Sequence, residues 1–82
     1  MVIEEIRVGE RSALAQATVG SSGVHQQFGI MILAIRRAEG ETRFNPKAQD
    51  NILAGDYLIA MGEPGQLAKL ETLASQAVAA SS

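Results

Sequence analysis

The sequence predicts a small α+β domain, in which a mostly antiparallel sheet of about four strands carries helices on one face. Its 82 residues make one domain. Several segments rich in β-branched and apolar residues are separated by short turns, as in a sheet. Apolar residues recur at helical spacing in only two places, one after the first strand and one near the C-terminus. The expected order is β-α-β-β-(turn)-β-α.

The first third of the chain is predicted to form one strand and one short helix. Residues 2–8 are rich in β-branched side chains and read as a strand that Gly9 ends. Ser12 precedes an Ala/Leu-rich run and is expected to cap a short helix over residues 13–19. The Gly/Ser-rich segment 20–23 then stops that helix, and the polar residues that follow are interpreted as a loop.

The middle of the chain is predicted to form a hairpin. Residues 30–37 read as a strand whose side chains alternate, with Ile30, Ile32 and Ala34 on one face and Met31, Leu33 and Ile35 on the other. Both faces are apolar, so both need cover. Residues 41–44 can return as a short paired strand, which Pro46 stops because proline cannot donate to a ladder.

The last third is predicted to contain a helical turn, a strand and a helix. A turn of helix over residues 48–53 is followed by a strand over residues 57–61. Pro64 suits a first helical turn, and leucines then recur at three- and four-residue spacing up to Gln76. We therefore expect a domain over residues 1–76 and a frayed tail over residues 77–82.

Composition narrows the classes of function. The net charge is −2 and aromatic residues make up 4% of the chain. A surface that binds nucleic acid usually has clustered Lys and Arg side chains and aromatic side chains that stack on nucleobases. We therefore expect no nucleic-acid partner. No apolar run approaches the ~20 residues that span a bilayer, so the chain is expected to be soluble. A domain this small buries only about 60–65% of its unfolded surface, which favours self-association.

The chain offers little for catalysis or metal binding. It has no Cys, and its only histidine, His25, lies among serines without a third orienting partner. We interpret His25 as a solvated loop residue in preference to a ligand or catalytic group. The carboxylates are scattered, with no apolar pair suited to acid–base chemistry. The sequence therefore predicts a protein that is not an enzyme and has no metal or obligatory cofactor.

One constellation could bind a small ligand. The predicted hairpin brings Arg36 near the segment from Phe44 to Pro46. An arginine fork suits a phosphate, and the amide of Asn45 can donate to and accept from a base edge. With Ile32 and Leu33 nearby, these groups form a patch typical of ligand sites. The alternative is that the arginines are solvated and the Asn-Pro pair is simply a turn.

The same residues resemble the TrkA-C domain, also known as the C-lobe of the RCK domain (regulator of potassium conductance). The resemblance covers nearly the whole chain and rests on the order and spacing of Ile35, Arg36, Arg37, Pro46, Gly55, Asp56, Leu58, Gly62, Leu67 and Leu70. It implies a cytosolic domain on the cytoplasmic side of the membrane that forms a homodimer through its sheet and helix faces. It also implies a Rossmann-like lobe before residue 1, so the chain is expected to be a fragment.

The function implied by the resemblance is regulation of potassium transport. The expected protein is a prokaryotic potassium channel. Its membrane-embedded pore is the expected partner of the domain, which controls the gating of the channel. The alternatives are a regulatory subunit of a cation transporter or antiporter, and a free-standing protein-interaction module without a small ligand. Some members of the family bind cyclic di-AMP, and the positions here that match their site are Ile32, Leu33, Arg36, Phe44, Asn45 and Pro46.

Overall fold

A four-stranded antiparallel sheet forms the centre of the domain, as the sequence predicts. The computed structural model describes residues 1–77, with strands β1 (Val2–Arg7), β2 (Met31–Arg36), β3 (Thr42–Phe44) and β4 (Tyr57–Gly62). Their order in the sheet is β1-β4-β2-β3. The α+β fold with helices on one face is confirmed. Most of the predicted tail, residues 78–82, lies outside the described residues.

The helices differ from prediction in the first half of the chain. The segment 13–19 forms only a 3-10 turn, Ala13–Gln16, and the predicted loop contains a short helix, α1 (Val24–Phe28). The predicted turn of helix over residues 48–53 is also wrong. Both segments instead pair with each other through a bridge between Thr18 and Asn51. Tertiary hydrogen bonding has overridden weak local helix propensity there.

The C-terminal helix α2 (Pro64–Ser75) begins and ends where the leucine spacing places it, to within one residue. Proline stands in its first turn, where the missing N–H would be unpaired anyway. The helix packs across β1 and β4. The buried core comprises Ile6, Val8, Leu14, Val24, Ile30, Ile32, Ile35, Ile52, Leu58, Ala60, Leu67, Leu70 and Ala74. Among residues 1–77, none of the helices has the length and hydropathy that a membrane span requires.

An irregularity in β2 corrects the predicted division of its side chains between two faces. The register against β4 shifts between Ile32 and Ala34. As a result Ile32 lies opposite Ala60 and Ile35 lies opposite Leu58, on the same covered face. Strict alternation would have placed the two isoleucines on opposite faces, and a bulge removes that constraint. The strand therefore contributes more to the core than its period suggests.

The face of the sheet opposite α2 remains uncovered within the described residues. Ile3 is paired with Met61 and Glu5 with Ile59, and their side chains are exposed or half-buried. This arrangement agrees with the prediction of helices on one face of the sheet. Exposed apolar side chains on and beside this sheet include Ile3, Met31 and Phe44.

Candidate ligand-binding site

A pocket of about 260 Å³ opens beside the N-terminal end of β2. Its walls come from Val19, from α1, from the start of β2, and from the turn after β3. The lining residues are Val19, Val24, His25, Ile30, Met31, Ile32, Asn45 and Pro46. A mostly apolar concavity with one amide and one imidazole is typical of a small-ligand site.

The turn after β3 places Asn45 and Pro46 in this pocket. The Asn45 backbone has φ of 50°, in the left-handed region that asparagine tolerates better than most residues. Its N–H donates to the carbonyl of Leu33 at 2.9 Å, which holds the turn against β2. Pro46 has no N–H and cannot continue the ladder. The chain therefore leaves the sheet at the point where the Asn45 amide meets the pocket.

The opposite wall is the short helix α1, set between two glycines in the left-handed conformation. Gly23 precedes the helix with φ of 70°, and Gly29 ends it with φ of 65° and donates to the His25 carbonyl. A glycine in this conformation is a frequent helix terminator. Val24 is buried and anchors the helix, whereas His25 is exposed at the pocket's edge.

A short ribbon ties the two walls together. The Val19 N–H donates to the Asp50 carbonyl at 2.9 Å, and the Gly20 N–H donates to the Ala48 carbonyl at 2.8 Å. The Ile52 N–H donates to the Ala17 carbonyl at 2.9 Å. Because Ile52 is fully buried, the ribbon is anchored in the core as well. The pocket is consequently one unit built from segments about thirty residues apart in sequence.

Charged groups that do not line the pocket brace the turn. The Asp50 carboxylate accepts from the Arg43 Nε at 2.8 Å and from the Lys47 N–H at 2.6 Å. The Arg43 hydrogen bond, followed by that from Lys47, lowers the pKa of Asp50 below its ordinary value. Within residues 1–77 no three histidine or acidic side chains come together as metal ligands would.

The far end of the same loop is held by an ion pair between a buried carboxylate and a half-buried arginine. Arg37 pairs with Asp56, whose side chain is only 2% exposed. The Asp56 carboxylate also accepts from the Leu53 N–H at 2.7 Å, and Arg37 donates to the Asn51 carbonyl at 3.0 Å. This cluster connects the end of β2 to the start of β4, so the loop between β3 and β4 is fixed at both ends.

The structure brings together three of the six residues that the sequence singled out. Ile32, Asn45 and Pro46 line the pocket. Leu33 is half-buried and contributes its carbonyl to the Asn45 N–H, and Phe44 is 78% exposed. These residues lie next to the pocket without lining it, and their predicted contact with a ligand stays a prediction.

Arg36 lies away from this pocket. It is four residues beyond Ile32 along β2, about 13 Å at the usual rise of a strand. Its Nη1 pairs with the Glu5 carboxylate at 2.6 Å, and its guanidinium lies 4.6 Å from the centroid of the Tyr57 ring. The ion pair raises the pKa of Arg36 and lowers that of Glu5. Within one protomer, Arg36 and Asn45 thus belong to different surfaces.

The pocket includes five residues that sequence reasoning did not assign to a site. They are Val19, Val24, His25, Ile30 and Met31. A signal was available, because α1 is flanked by Gly23 and Gly29, a spacing that suits a single helical turn ended by glycine. A helix of five residues is too short to show apolar periodicity, so the sequence pattern predicts a loop there.

The family model of the TrkA-C domain matches residues 3–75. The chain belongs to the TrkA-C family. The sequence-based resemblance is therefore confirmed, over nearly all of the described residues. No curated protein sequence is significantly similar to the chain.

Solved structures support the family assignment. The RCK_C domain dimer of S. agalactiae BusR, in complex with c-di-AMP, is 29% identical with a TM-score of 0.79, over 89% of this TrkA-C chain and 95% of that chain. The RCK C domain of the potassium transport protein KtrA, also in complex with c-di-AMP, is 30% identical with a TM-score of 0.75, over 85% and 79% of the two chains.

A third structure corrects the expectation about partners. S. agalactiae BusR in complex with its busAB-promotor DNA is 30% identical with a TM-score of 0.78, over 87% of this TrkA-C chain and 34% of that chain. A TrkA-C-like domain thus occurs in a protein that binds DNA, and the expectation of no nucleic-acid partner is wrong. The charge and aromatic content of one domain describe its own surface and do not exclude a nucleic-acid partner for a longer protein.

Proposed function

We propose that this TrkA-C domain is a ligand-sensing dimerisation module that binds cyclic di-AMP and has no catalytic activity of its own. One observation carries the proposal: two relatives of about 30% identity, each matched over more than four fifths of this chain, are structures with that ligand bound. The pocket described above is where we expect the nucleotide to bind.

The chemistry of the pocket supports a nucleobase. Its walls are mainly aliphatic, from Val24, Ile30 and Ile32, and a purine ring buries well against such surfaces. The Asn45 amide can donate and accept at once, which matches the paired donor and acceptor of an adenine edge. Pairing with the amide would satisfy both groups of one adenine edge, and a base with a different donor–acceptor order on that edge would leave them unpaired.

The symmetry of the ligand supports a dimer. Cyclic di-AMP consists of two identical halves, and a two-fold homodimer presents two identical pockets. Each protomer would hold one adenine, with the phosphates between the protomers. The uncovered sheet face, with Ile3 and Met61 in one row, supplies apolar surface that a second copy could bury. A relative's domain is itself described as a dimer.

We propose that the domain acts in the cytoplasm and that its output is control of potassium transport. The support for this output is that the KtrA relative is a potassium transport protein. Control of channel gating is the specific form that we expect. A second output has its own support: BusR, which matches equally well, is found on promoter DNA. In both cases the ligand would act by binding one arrangement of the dimer more tightly than another, since only differential affinity shifts a population.

Calorimetric titration of the chain with cyclic di-AMP tests whether this ligand binds. Cyclic di-GMP is the negative control and should not bind. We expect saturation at one ligand for each pair of chains. A stoichiometry of one ligand per chain, or no binding at ligand concentrations far above that of the protein, would contradict the proposal. Light scattering on the same samples should show a dimer in the presence of ligand.

Two matched variants locate the site. Asn45→Gly removes the amide yet accepts the positive φ, so it should weaken binding without straining the turn. Gln26→Ala changes an exposed neighbour of His25 that does not line the pocket, and it should bind as the wild type does. Equal affinity in the wild type and Asn45→Gly would show that the ligand binds elsewhere.

A further inference from the structure

We propose that Asp50 is a positioning residue of the ligand site, which joins the two walls of the pocket without contacting the ligand. This inference rests on the proposed function. Asp50 is not among the residues that line the pocket, yet its side chain braces one wall and its main chain braces the other.

The carboxylate of Asp50 bridges the residues on either side of the Asn45–Pro46 turn. It accepts from the Arg43 Nε at 2.8 Å and from the Lys47 N–H at 2.6 Å, both through Oδ2. Arg43 lies two residues before Asn45, and Lys47 follows Pro46 directly. An aspartate that accepts a main-chain N–H a few residues away stabilises a turn locally. The conformation that presents the Asn45 amide is therefore closed from both sides by one side chain.

The main chain of Asp50 braces the opposite wall. Its carbonyl accepts from the Val19 N–H at 2.9 Å, and Val19 lines the pocket. The Asp50 N–H donates to the Lys47 carbonyl at 2.9 Å, which closes the same turn again. A change in the turn would consequently move the partner of Val19, and with it the distance between the walls.

The position of Asp50 separates this role from general support of the fold. Its side chain is 14% exposed and belongs to the loop between β3 and β4, outside the set of buried apolar side chains that forms the core. Its partners Arg43 and Lys47 are exposed. Loss of the carboxylate should thus loosen the loop around the pocket more than it loosens the sheet. The ligand then binds only those molecules in which the loop is ordered, so the apparent affinity falls in proportion to their fraction.

The test is calorimetric affinity for cyclic di-AMP in the wild type, Asp50→Ala, Asp50→Asn and a control, Glu71→Ala, on the exposed side of α2. Asp50→Ala should weaken binding about tenfold. Asp50→Asn keeps an oxygen that can accept the Lys47 N–H and should restore affinity to within about threefold of the wild type. The control should leave affinity unchanged.

Hydrogen exchange separates local loosening of the loop from general destabilisation of the domain. In Asp50→Ala, exchange at the Val19 and Lys47 amides should accelerate while that at Leu70, within α2, stays as in the wild type. Equal acceleration at all three amides would show general destabilisation and overturn the inference. If the alanine variant does not fold, Asp50→Ser takes its place, since its shorter hydroxyl reaches the turn less well.

The outcomes distinguish the two proposals. A wild type that does not bind cyclic di-AMP defeats the proposed function and this inference with it. A wild type that binds, together with an Asp50→Ala variant of the same affinity, defeats the inference alone. Equal weakening by alanine and asparagine would also overturn it, because the asparagine oxygen would then not substitute for the carboxylate in the turn.

Discussion

Arg36, the last residue of β2, and Arg37, which follows it, are the same type of residue, yet they lie in opposite environments. The Arg37 side chain is 14% exposed, and it pairs with Asp56, whose side chain is 2% exposed. The Arg36 side chain is 38% exposed, and it pairs with Glu5, which is 47% exposed. Successive side chains of an extended chain point in opposite directions, so one arginine reaches inward and the other reaches the uncovered face.

The comparison shows that burial, not residue type, decides what an ion pair contributes. In water the attraction between two charges is weak and is offset by the entropy of holding both side chains. Inside a protein, removing one partner leaves an uncompensated charge, which is costly even where the intact pair adds little net stability. Arg37 and Asp56 should therefore be needed for the fold, whereas Arg36 and Glu5 are free to change partners.

The largest effect is expected for Asp56→Ala. It leaves Arg37 without its partner and also removes the acceptor of the Leu53 N–H. Breaking a buried pair in this way costs about 3–5 kcal/mol. Urea denaturation followed by circular dichroism should show the loss. For comparison, Glu5→Ala should leave the midpoint almost unchanged, and equal effects in the two variants would remove the distinction between the pairs.

A smaller effect is expected for Gly55→Ala, which alters the backbone that presents Asp56. Gly55 has φ of 86°, and an added Cβ would lie 3.3 Å from the Ala38 Cβ. A side chain in this conformation costs about 1–2 kcal/mol. Gly65→Ala is the matched control, because Gly65 lies in α2 with open space around it and should be neutral or slightly stabilising. A neutral Gly55→Ala in urea denaturation would show that the backbone here tolerates other conformations.

The smallest effect is the pH dependence of the exposed pair. The hydrogen bond from Arg36 lowers the pKa of Glu5 in the folded state. The stability that this pair contributes is therefore present above the pKa of an unfolded glutamate, about 4.3, and is lost as pH falls through the pKa of Glu5 in the folded state. Between pH 5 and pH 3, the wild type should lose slightly more stability than Glu5→Gln does. Urea midpoints at several pH values measure the difference, and parallel curves would show that the pair contributes nothing.

Much of the fold could be predicted because its signals are local. The leucine spacing of α2, the β-branched strands and the stops at Gly9 and Pro46 each depend on a few adjacent residues. The prediction of a helix over residues 13–19 is wrong for a reason that is not local. The backbone groups of this segment find partners near Asp50, about thirty residues away, and no local pattern records that pairing.

The site was only partly predictable for the same reason. Asn45 and Pro46 could be identified, since a polar residue before proline at a strand end is visible in the sequence. Their separation from Arg36 could not, because it depends on the register of the hairpin, which places Arg36 opposite Thr42 and Ala34 opposite Phe44. The position of His25 in the pocket lining also depends on packing, because α1 is too short to be detected from the sequence pattern.

The sequence by itself determined the family, the order of most elements and the uncovered face, because apolar period and turn residues act over short distances. The tertiary structure decided which of the two arginines is the more buried, which residues share the pocket and what connects the walls of the pocket. These depend on long-range hydrogen bonds and on the bulge after Ile32, which changes the faces of β2. A pattern of residues can require that a strand be buried, but only its neighbours determine which side chains meet.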